Sequence, residues 1–308
     1  MHHSRQSSIT IPWSGADPQT DGRPFWPRIR FWIAGLAIVT ASLGCDRSEA
    51  PTPASSTASG VASLSPAITT TLIDLGVGDD VVGRTPWCRG VDDRPVVGTL
   101  EGVDAEMLVA IRPAVVLHQP PATGSDPVLL GLRDRLGFEL AGGRLDGVSN
   151  LLTLLDEIER LELAAPGRIE QRRGELREIA ARNLRPIDST APRVVALHSV
   201  DPVGIAGRDT YLGEIIAAAG FRNLAADGGW RTWSVETLLS ADPDMILVFS
   251  GDGDGRKVVE WLEALGWASP PSIIVVPGAD AFEPSTRMPT VLKALEQATG
   301  TLVGDEHE

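Results

Sequence analysis

The chain has 308 residues, of which 43% are hydrophobic, 22% charged and 5% aromatic. This composition is that of a globular protein long enough for two compact lobes, and it excludes a collagen, a small disulfide-rich scaffold and a chain that is disordered throughout. The formal net charge is −14, and no segment gathers Lys and Arg into a stripe. We therefore expect no binding of nucleic acid through phosphate contacts.

The N-terminal region has the pattern of an export signal. Arginines precede an apolar run at residues 31–43, which as a helix would be roughly 20 Å long and so shorter than the ~30 Å hydrocarbon core of a bilayer. The run closes on Ser42-Leu43-Gly44-Cys45, which resembles a bacterial lipobox. We predict that residues 1–45 are a signal peptide with lipobox and that Cys45 is lipidated. An uncleaved anchor helix is the alternative, and it would leave the same domain outside the membrane.

The segment that follows is rich in Ser, Thr, Ala and Pro. Residues 46–60 cannot bury a core, and this composition is typical of a flexible tether. A lipid at Cys45 and a tether would hold the folded part in the periplasm or at the outer face of the cytoplasmic membrane.

From residue 61 onward, short apolar runs alternate with helical patterns. Alternating strands and helices predict a mainly parallel, doubly wound sheet, which we assign to an N-terminal α/β lobe over residues 61–145. The predicted strands are 61–64, 81–83, 95–98, 114–118 and 138–141, and the predicted helices are 67–75, 104–111 and 129–136.

A different pattern separates this lobe from a second one. Residues 146–190 form a long, charged helical stretch with little strand signal, interrupted near Pro166. The alternation resumes with an apolar strand at 193–198, so residues 191–303 are predicted to form a C-terminal α/β lobe. The fold class expected is α/β, with two doubly wound lobes joined by one long bridging helix.

An internal repeat relates the two lobes. Residues 103–117 align with residues 233–247, and each copy has a possible helix cap, Asp104 or Ser234, followed by an apolar-faced helix, a Pro stop and a buried strand. Open parallel sheets bind ligands beyond the carboxyl ends of their strands. Two similar lobes therefore predict a ligand cleft between them.

Several segments of the chain match a known family in order. They are Ser63 to Gly76 with Ser65-Pro66, Val82-Gly83 leading into Trp87, Glu106 to Leu117, Gly207 to Gly220, and Pro284 to Arg287. Together they resemble the substrate-binding proteins of ABC importers for cobalamin, ferric siderophores and haem, over about residues 61–299.

The resemblance implies a monomeric binding protein that captures a small-molecule metal chelate between two lobes. It would deliver the chelate to an ABC permease with its ATPase subunits. It implies no enzymatic activity, no catalytic residue, no metal site and no cofactor of its own, since any metal arrives within the ligand. Which chelate is bound stays open.

The repeat aligns Glu106 with Glu236, each in the first turn of its predicted helix. The resemblance implies that these two glutamates dock the protein on arginines of the permease. The alternative is a surface carboxylate favoured by the helix dipole, worth about 0.3–1 kcal/mol.

Two tryptophans stand where the cobalamin-binding members place aromatic residues on the ligand, namely Trp87 and Trp230. A flat indole gives a macrocycle a large contact area at little cost in rotamer entropy. The alternative is a tryptophan that packs in the core or at an interface. Leu100 and Gln119 replace two other aromatic positions of the cobalamin pattern, which puts cobalamin itself in doubt.

His118 and His198 each end an apolar strand, one in each predicted lobe. Imidazole there could ligate a chelated metal or donate a hydrogen bond to the chelate. The alternatives are a structural hydrogen bond, or a metal-dependent enzyme or sensor domain on the same fold that uses both histidines. Cys88, beside Trp87, is expected to be an inert small residue.

The remaining candidates come from two loops. The resemblance places Tyr211 near the mouth of the pocket, and packing beneath the loop is its alternative. Asp280 and Arg287 fall in the last loop of the predicted cleft, where a cation could meet carboxylates or phosphate of the ligand.

Overall fold

The computed structural model describes residues 59–99, 102–225, 228–250 and 255–305. The predicted signal peptide, the lipidation site Cys45 and nearly all of the tether lie outside the described residues, as does Leu100. Within the described ranges, no helix combines the length and the apolar character needed to cross a bilayer.

The N-terminal lobe is built on a four-stranded parallel sheet with the order β2–β1–β3–β4. Three helices accompany it, and the apolar residues on the strands and on the helix faces are buried against one another. Its strands are β1 (Val61–Ser63), β2 (Val81–Gly83), β3 (Val115–His118) and β4 (Glu139–Gly142), and its helices are α1 (Pro66–Asp74), α2 (Ala105–Ile111) and α3 (Pro127–Leu136).

One predicted strand of this lobe is wrong. Residues 95–98 make only isolated bridges, in which Val96 pairs with Arg84 and Gly98 with Val103. The chain turns back here, because Gly98 has a φ of 152° and the N–H of Thr99 donates to the carbonyl of Gly102. A residue with a side chain rarely adopts such a φ, so the glycine favours a turn over a continued strand.

Two helices follow, α4 (Val148–Arg160) and α5 (Pro166–Asn183). The interruption predicted near Pro166 is the first residue of α5, the position in a helix that tolerates proline best. Arg173 joins the two helices, since its guanidinium donates to Asp156 and Glu159 at 2.9 and 2.6 Å. α5 packs on α4 and also on α6 and α9 of the second lobe, and it is the bridge between the lobes.

The C-terminal lobe contains a six-stranded sheet with the order β10–β9–β5–β6–β8, in which β7 also pairs with β5. Its strands are β5 (Arg193–Val200), β6 (Val203–Ala206), β7 (Arg222–Asn223), β8 (Trp230–Trp233), β9 (Met245–Ser250) and β10 (Ser272–Pro277). Its helices are α6 (Tyr211–Ala218), α7 (Val235–Ser240), α8 (Arg256–Glu263) and α9 (Met288–Asp305).

This second sheet is mixed, whereas the sequence pattern predicts a mainly parallel one. β10, β9, β5 and β7 run parallel, but β6 is antiparallel to both β5 and β8. Asp201-Pro202 alone separates β5 from β6, and so short a connection cannot hold the crossover that a parallel pair needs. The hairpin brings β8, and with it Trp230, beside β6 at the edge of the sheet.

One apolar core runs through both lobes and the bridge. It contains Leu72 of α1, Leu155 of α4, Leu176 of α5, Ile215 of α6 and Leu295 of α9, all fully buried. Because the bridge contributes to the same core as the lobes, we expect the lobes to move little relative to each other.

Candidate functional site

The two aligned glutamates lie on the protein surface, each in the first turn of its helix. Asp104 caps α2 by accepting from the N–H of Met107 at 2.9 Å, and Ser234 caps α7 in the same way for Thr237 at 3.1 Å. Glu106 and Glu236 follow these caps and are both exposed.

The cap also affects the second glutamate. The backbone N–H of Glu236 and the hydroxyl of Ser234 hold the pKa of the Glu236 carboxyl below its usual value. Glu236 is therefore ionised in neutral solution. Pairing of these glutamates with a permease stays a prediction.

Three of the predicted ligand residues form one cluster in the C-terminal lobe. The ring of Trp230 meets His198 edge-on, with centroids 4.9 Å apart, and Tyr211 at 5.6 Å. Trp230 is 47% exposed, whereas Tyr211 is 5% exposed and donates its hydroxyl to the carbonyl of Ala281 at 2.9 Å. Trp230 is thus the solvent-facing member of the cluster, and Tyr211 is buried beside it.

His198 is held against the backbone of the neighbouring strand. A Cβ added at Gly204 would lie 2.5 Å from Cε1 of His198, so only glycine leaves room for this ring position. The Nε2 atom of His198 is buried and has no hydrogen-bond partner among the described residues. Burial lowers the pKa of His198, so the imidazole is neutral at pH 7.

In the N-terminal lobe, Trp87 lies on the loop after β2 and is 58% exposed. Cys88 beside it is buried, and its sulfur is 2.9 Å from the hydroxyl of Thr69 and 3.1 Å from that of Thr85. The thiol therefore faces the inside of the lobe while the neighbouring indole faces solvent.

His118 ends β3, as the sequence indicates, and its Nε2 lies 3.4 Å from the hydroxyl of Ser125. Burial lowers the pKa of this imidazole too. A cavity of about 190 Å³, lined by Gln119 and Arg144 among others, opens beside it at the carboxyl end of the strand. The part of the chain that the structure describes contains no group of three or more His, Cys, Asp or Glu side chains that could hold a metal ion.

Asp280 and Arg287 contact each other, with Nη1 of Arg287 3.3 Å from Oδ1 of Asp280. Nε of Arg287 also lies 4.0 Å from Oδ1 of Asp74, at the end of α1 in the other lobe. Their charges are therefore paired within the protein, and contact with a ligand stays a prediction for both.

Two carboxylates that sequence reasoning missed connect the lobes. Glu283 is 12% exposed and accepts from the hydroxyl of Thr70 at 2.5 Å and from Nη2 of Arg89 at 2.6 Å. Asp74 is 10% exposed and accepts from Arg172 at 2.7 Å and from the hydroxyl of Thr286 at 2.6 Å.

The sequence held one signal for these contacts. The segment Pro284 to Arg287 carries the resemblance, and Glu283 and Thr286 stand beside or within it. Nothing in the local sequence, however, indicates which residues of the other lobe they meet.

The described contacts link the candidate residues through this loop. The carbonyl of Ala281 accepts a hydrogen bond from the hydroxyl of Tyr211. The carboxylate of Glu283 accepts one from Arg89, which is two residues from Trp87 in the sequence. The aromatic cluster of one lobe and the tryptophan loop of the other are therefore joined by the short segment 281–283.

No protein-family model matches the chain. An uncharacterized ABC transporter substrate-binding lipoprotein of Bacillus subtilis (strain 168), YvrC, is 26% identical over 218 residues, which is 68% of each protein. The apo form of the periplasmic heme-binding protein RhuT from Roseiflexus sp. RS-1 is 25% identical with a TM-score of 0.60, over 78% of this chain and 97% of the other.

The periplasmic vitamin B12 binding protein BtuF of Vibrio cholerae has the same fold. Its TM-score is 0.61 at 16% identity, over 79% of this chain and 97% of that protein. In sequence and in fold, the chain is therefore similar to substrate-binding proteins of ABC importers. This similarity supports the role of a binding protein of an importer over that of an enzyme.

Proposed function

We propose that this protein captures a large flat or rounded metal chelate, such as cobalamin, haem or a ferric siderophore, for an ABC importer. The observation that carries the proposal is the exposure of one indole in each lobe, 58% for Trp87 and 47% for Trp230. Large aromatic side chains are usually buried, and exposed ones mark contact surfaces. RhuT and BtuF, whose fold the chain shares, are named for binding heme and vitamin B12.

The chemistry around Trp230 suits such a ligand. An indole stacked on a macrocycle contributes about 0.5–1.5 kcal/mol beyond the area it buries. His198 lies under Trp230 as a neutral imidazole with a buried, unpartnered Nε2. His118, Tyr211, Asp280 and Arg287 complete the proposed ligand set. The metal arrives within the ligand, so the protein needs no cofactor of its own.

Delivery follows from the surface glutamates. Glu106 and Glu236 each lie in the first turn of a capped helix, one in each lobe, and we propose that both contact the permease when the loaded protein docks. A monomer anchored by a lipid on Cys45, after cleavage just before that cysteine in the predicted signal peptide with lipobox (residues 1–45), would stay close to that permease.

Native mass spectrometry of the protein after exposure to cyanocobalamin, haem and ferric siderophores tests the proposal. We expect one chelate bound per chain and quenching of tryptophan fluorescence on loading, because the ligand would lie against the exposed indoles. Binding of none of these chelates, or binding without a change in tryptophan fluorescence, would refute it.

A further inference from the structure

One ion pair connects the two lobes beside the candidate site. Nη2 of Arg89, on the loop that carries Trp87, lies 2.6 Å from Oε1 of Glu283 in the other lobe. The two side chains differ in exposure, since Arg89 is 51% exposed and Glu283 only 12%. The carboxylate is thus anchored in the protein while much of the guanidinium faces solvent.

The position of the pair relates it to both exposed tryptophans. Arg89 is two residues from Trp87, and Glu283 is two residues from Ala281, whose carbonyl accepts the hydroxyl of Tyr211. Tyr211 in turn contacts the ring of Trp230. Burial, together with the negative charge of Glu283, raises the pKa of the Tyr211 hydroxyl.

The guanidinium has unused capacity to bind an anion. An arginine side chain has five N–H donors in a planar fork that matches a carboxylate. Among the described residues, the only hydrogen-bond partner of the Arg89 side chain is Glu283, reached through Nη2. The rest of the fork is open at a half-exposed position next to Trp87.

We propose that Arg89 recognises a carboxylate on the ligand and that Glu283 is the positioning residue that holds Arg89 for this contact. This inference rests on the proposed function and narrows it to chelates that carry free carboxylates, as against those whose side chains are amides or esters. Since Glu283 also accepts from Thr70, its carboxylate is fixed at both oxygens and determines where the guanidinium lies.

The arrangement also links ligand recognition to both lobes. Arg89 belongs to the N-terminal lobe and Glu283 to the C-terminal lobe, so a ligand carboxylate on Arg89 is connected to the two lobes through one guanidinium. A neutral ligand of the same shape would meet the tryptophans but would leave the open donors of Arg89 to water.

The experiment compares pairs of probes that differ only in their carboxylates. The full-length protein is titrated with haem and haem dimethyl ester, and with a cobalamin monocarboxylic acid and cyanocobalamin, following tryptophan fluorescence. For at least one pair we expect wild type to prefer the acid. Arg89→Ala should weaken acid binding about 10- to 100-fold, as expected for loss of hydrogen bonds between charged groups, and change ester or amide binding by less than about twofold.

Two further variants test position and specificity. Glu283→Gln keeps the size of the side chain but removes its charge, so it should lower the preference for the acid over the ester. A separate thermal melt shows whether the fold of this variant is intact. Arg133→Ala is the matched control, because Arg133 is a half-exposed arginine of the same lobe paired with the adjacent Asp134. It should change neither affinity.

The results separate the two proposals. Equal affinity of wild type for acid and ester, or an unchanged preference in Arg89→Ala, would overturn the inference and leave the chelate-binding function standing. A tighter acid complex in Glu283→Gln would overturn the positioning role. Failure of wild type to bind any member of either pair or any ferric siderophore would refute the proposed function, and the inference with it.

Discussion

Asp74 offers the sharpest test of how the lobes are held together. It ends α1 in the N-terminal lobe and accepts hydrogen bonds from Arg172 of the bridging helix α5 and from Thr286 of the C-terminal lobe. One carboxylate thus connects three parts of the molecule. Asp74→Ala removes both acceptors without disturbing the apolar core.

The expected loss of stability can be worked out from these contacts. Hydrogen bonds that involve a charged group contribute about 1.5–3 kcal/mol each, which gives roughly 3–6 kcal/mol for the two. Part of this is recovered, because the variant no longer buries a carboxylate and because Arg172 keeps Glu175 at 2.7 Å. We therefore expect the free energy of unfolding to fall by about 2–4 kcal/mol.

Thermal unfolding followed by circular dichroism measures this effect. For a domain of this size the loss corresponds to a fall in melting temperature of about 5–15 °C. Asp134→Ala is the matched control, since Asp134 is 67% exposed, pairs with the adjacent Arg133 and should change stability by less than about 1 kcal/mol. If Asp74→Ala melted within 2 °C of the control, at about the precision of the method, Asp74 would not hold the lobes together.

Trp87→Ala and Trp230→Ala should each weaken chelate binding about tenfold to several hundredfold, because each variant loses stacking and buried area. Fluorescence titration measures this loss, and wild-type affinity in both variants would argue against the aromatic pocket. Charge reversal at Glu106 and Glu236 together should abolish uptake of the chelate by cells and leave its affinity in solution unchanged. The reason is that both carboxylates are exposed and would face the permease. Weaker binding in solution would show that they face the ligand. Labelled palmitate should enter the wild-type protein and not Cys45→Ala, and equal labelling would exclude the lipobox.

The parts of the fold that depend on local signals could be predicted from the sequence. The caps at Asp104 and Ser234 are formed by their own side chains with N–H groups three residues away, so short segments determine where α2 and α7 begin. The strands that carry His118 and His198 are apolar runs whose composition indicates burial. His118 ends β3 as predicted, but β5 continues two residues beyond His198 to Val200, where the hairpin to β6 begins, so the prediction that His198 ends its strand is wrong. The internal repeat corresponds in both lobes to a capped helix followed by a strand, α2 with β3 and α7 with β9.

The features that depend on distant partners could not be predicted. Residues 95–98 have the composition of a strand, but whether they pair depends on the turn at Gly98 and on neighbours elsewhere in the sheet. Asp74 and Glu283 look like ordinary surface carboxylates, but each is largely buried beside partners that lie about 100 residues or more away in the sequence. The contact between Trp230 and Tyr211 likewise depends on the antiparallel pairing of β8 with β6. Nothing in the sequence of β8 itself specifies that pairing.

Helix α6 connects the aromatic cluster to the bridge between the lobes. Tyr211, its first residue, contacts Trp230, and one turn later Glu214 accepts from the N–H of Val148 at 2.6 Å, at the start of α4. Gly147 precedes α4 and has no side chain with which to cap it, so a carboxylate from the C-terminal lobe performs this role. Rotation of the C-terminal lobe would break that hydrogen bond and expose a half-buried carboxylate together with an uncapped helix end. If a ligand binds against Trp230 as proposed, we therefore expect it to contact a surface that is fixed to the bridge, and we expect its affinity to come from a cleft that is largely formed before it binds.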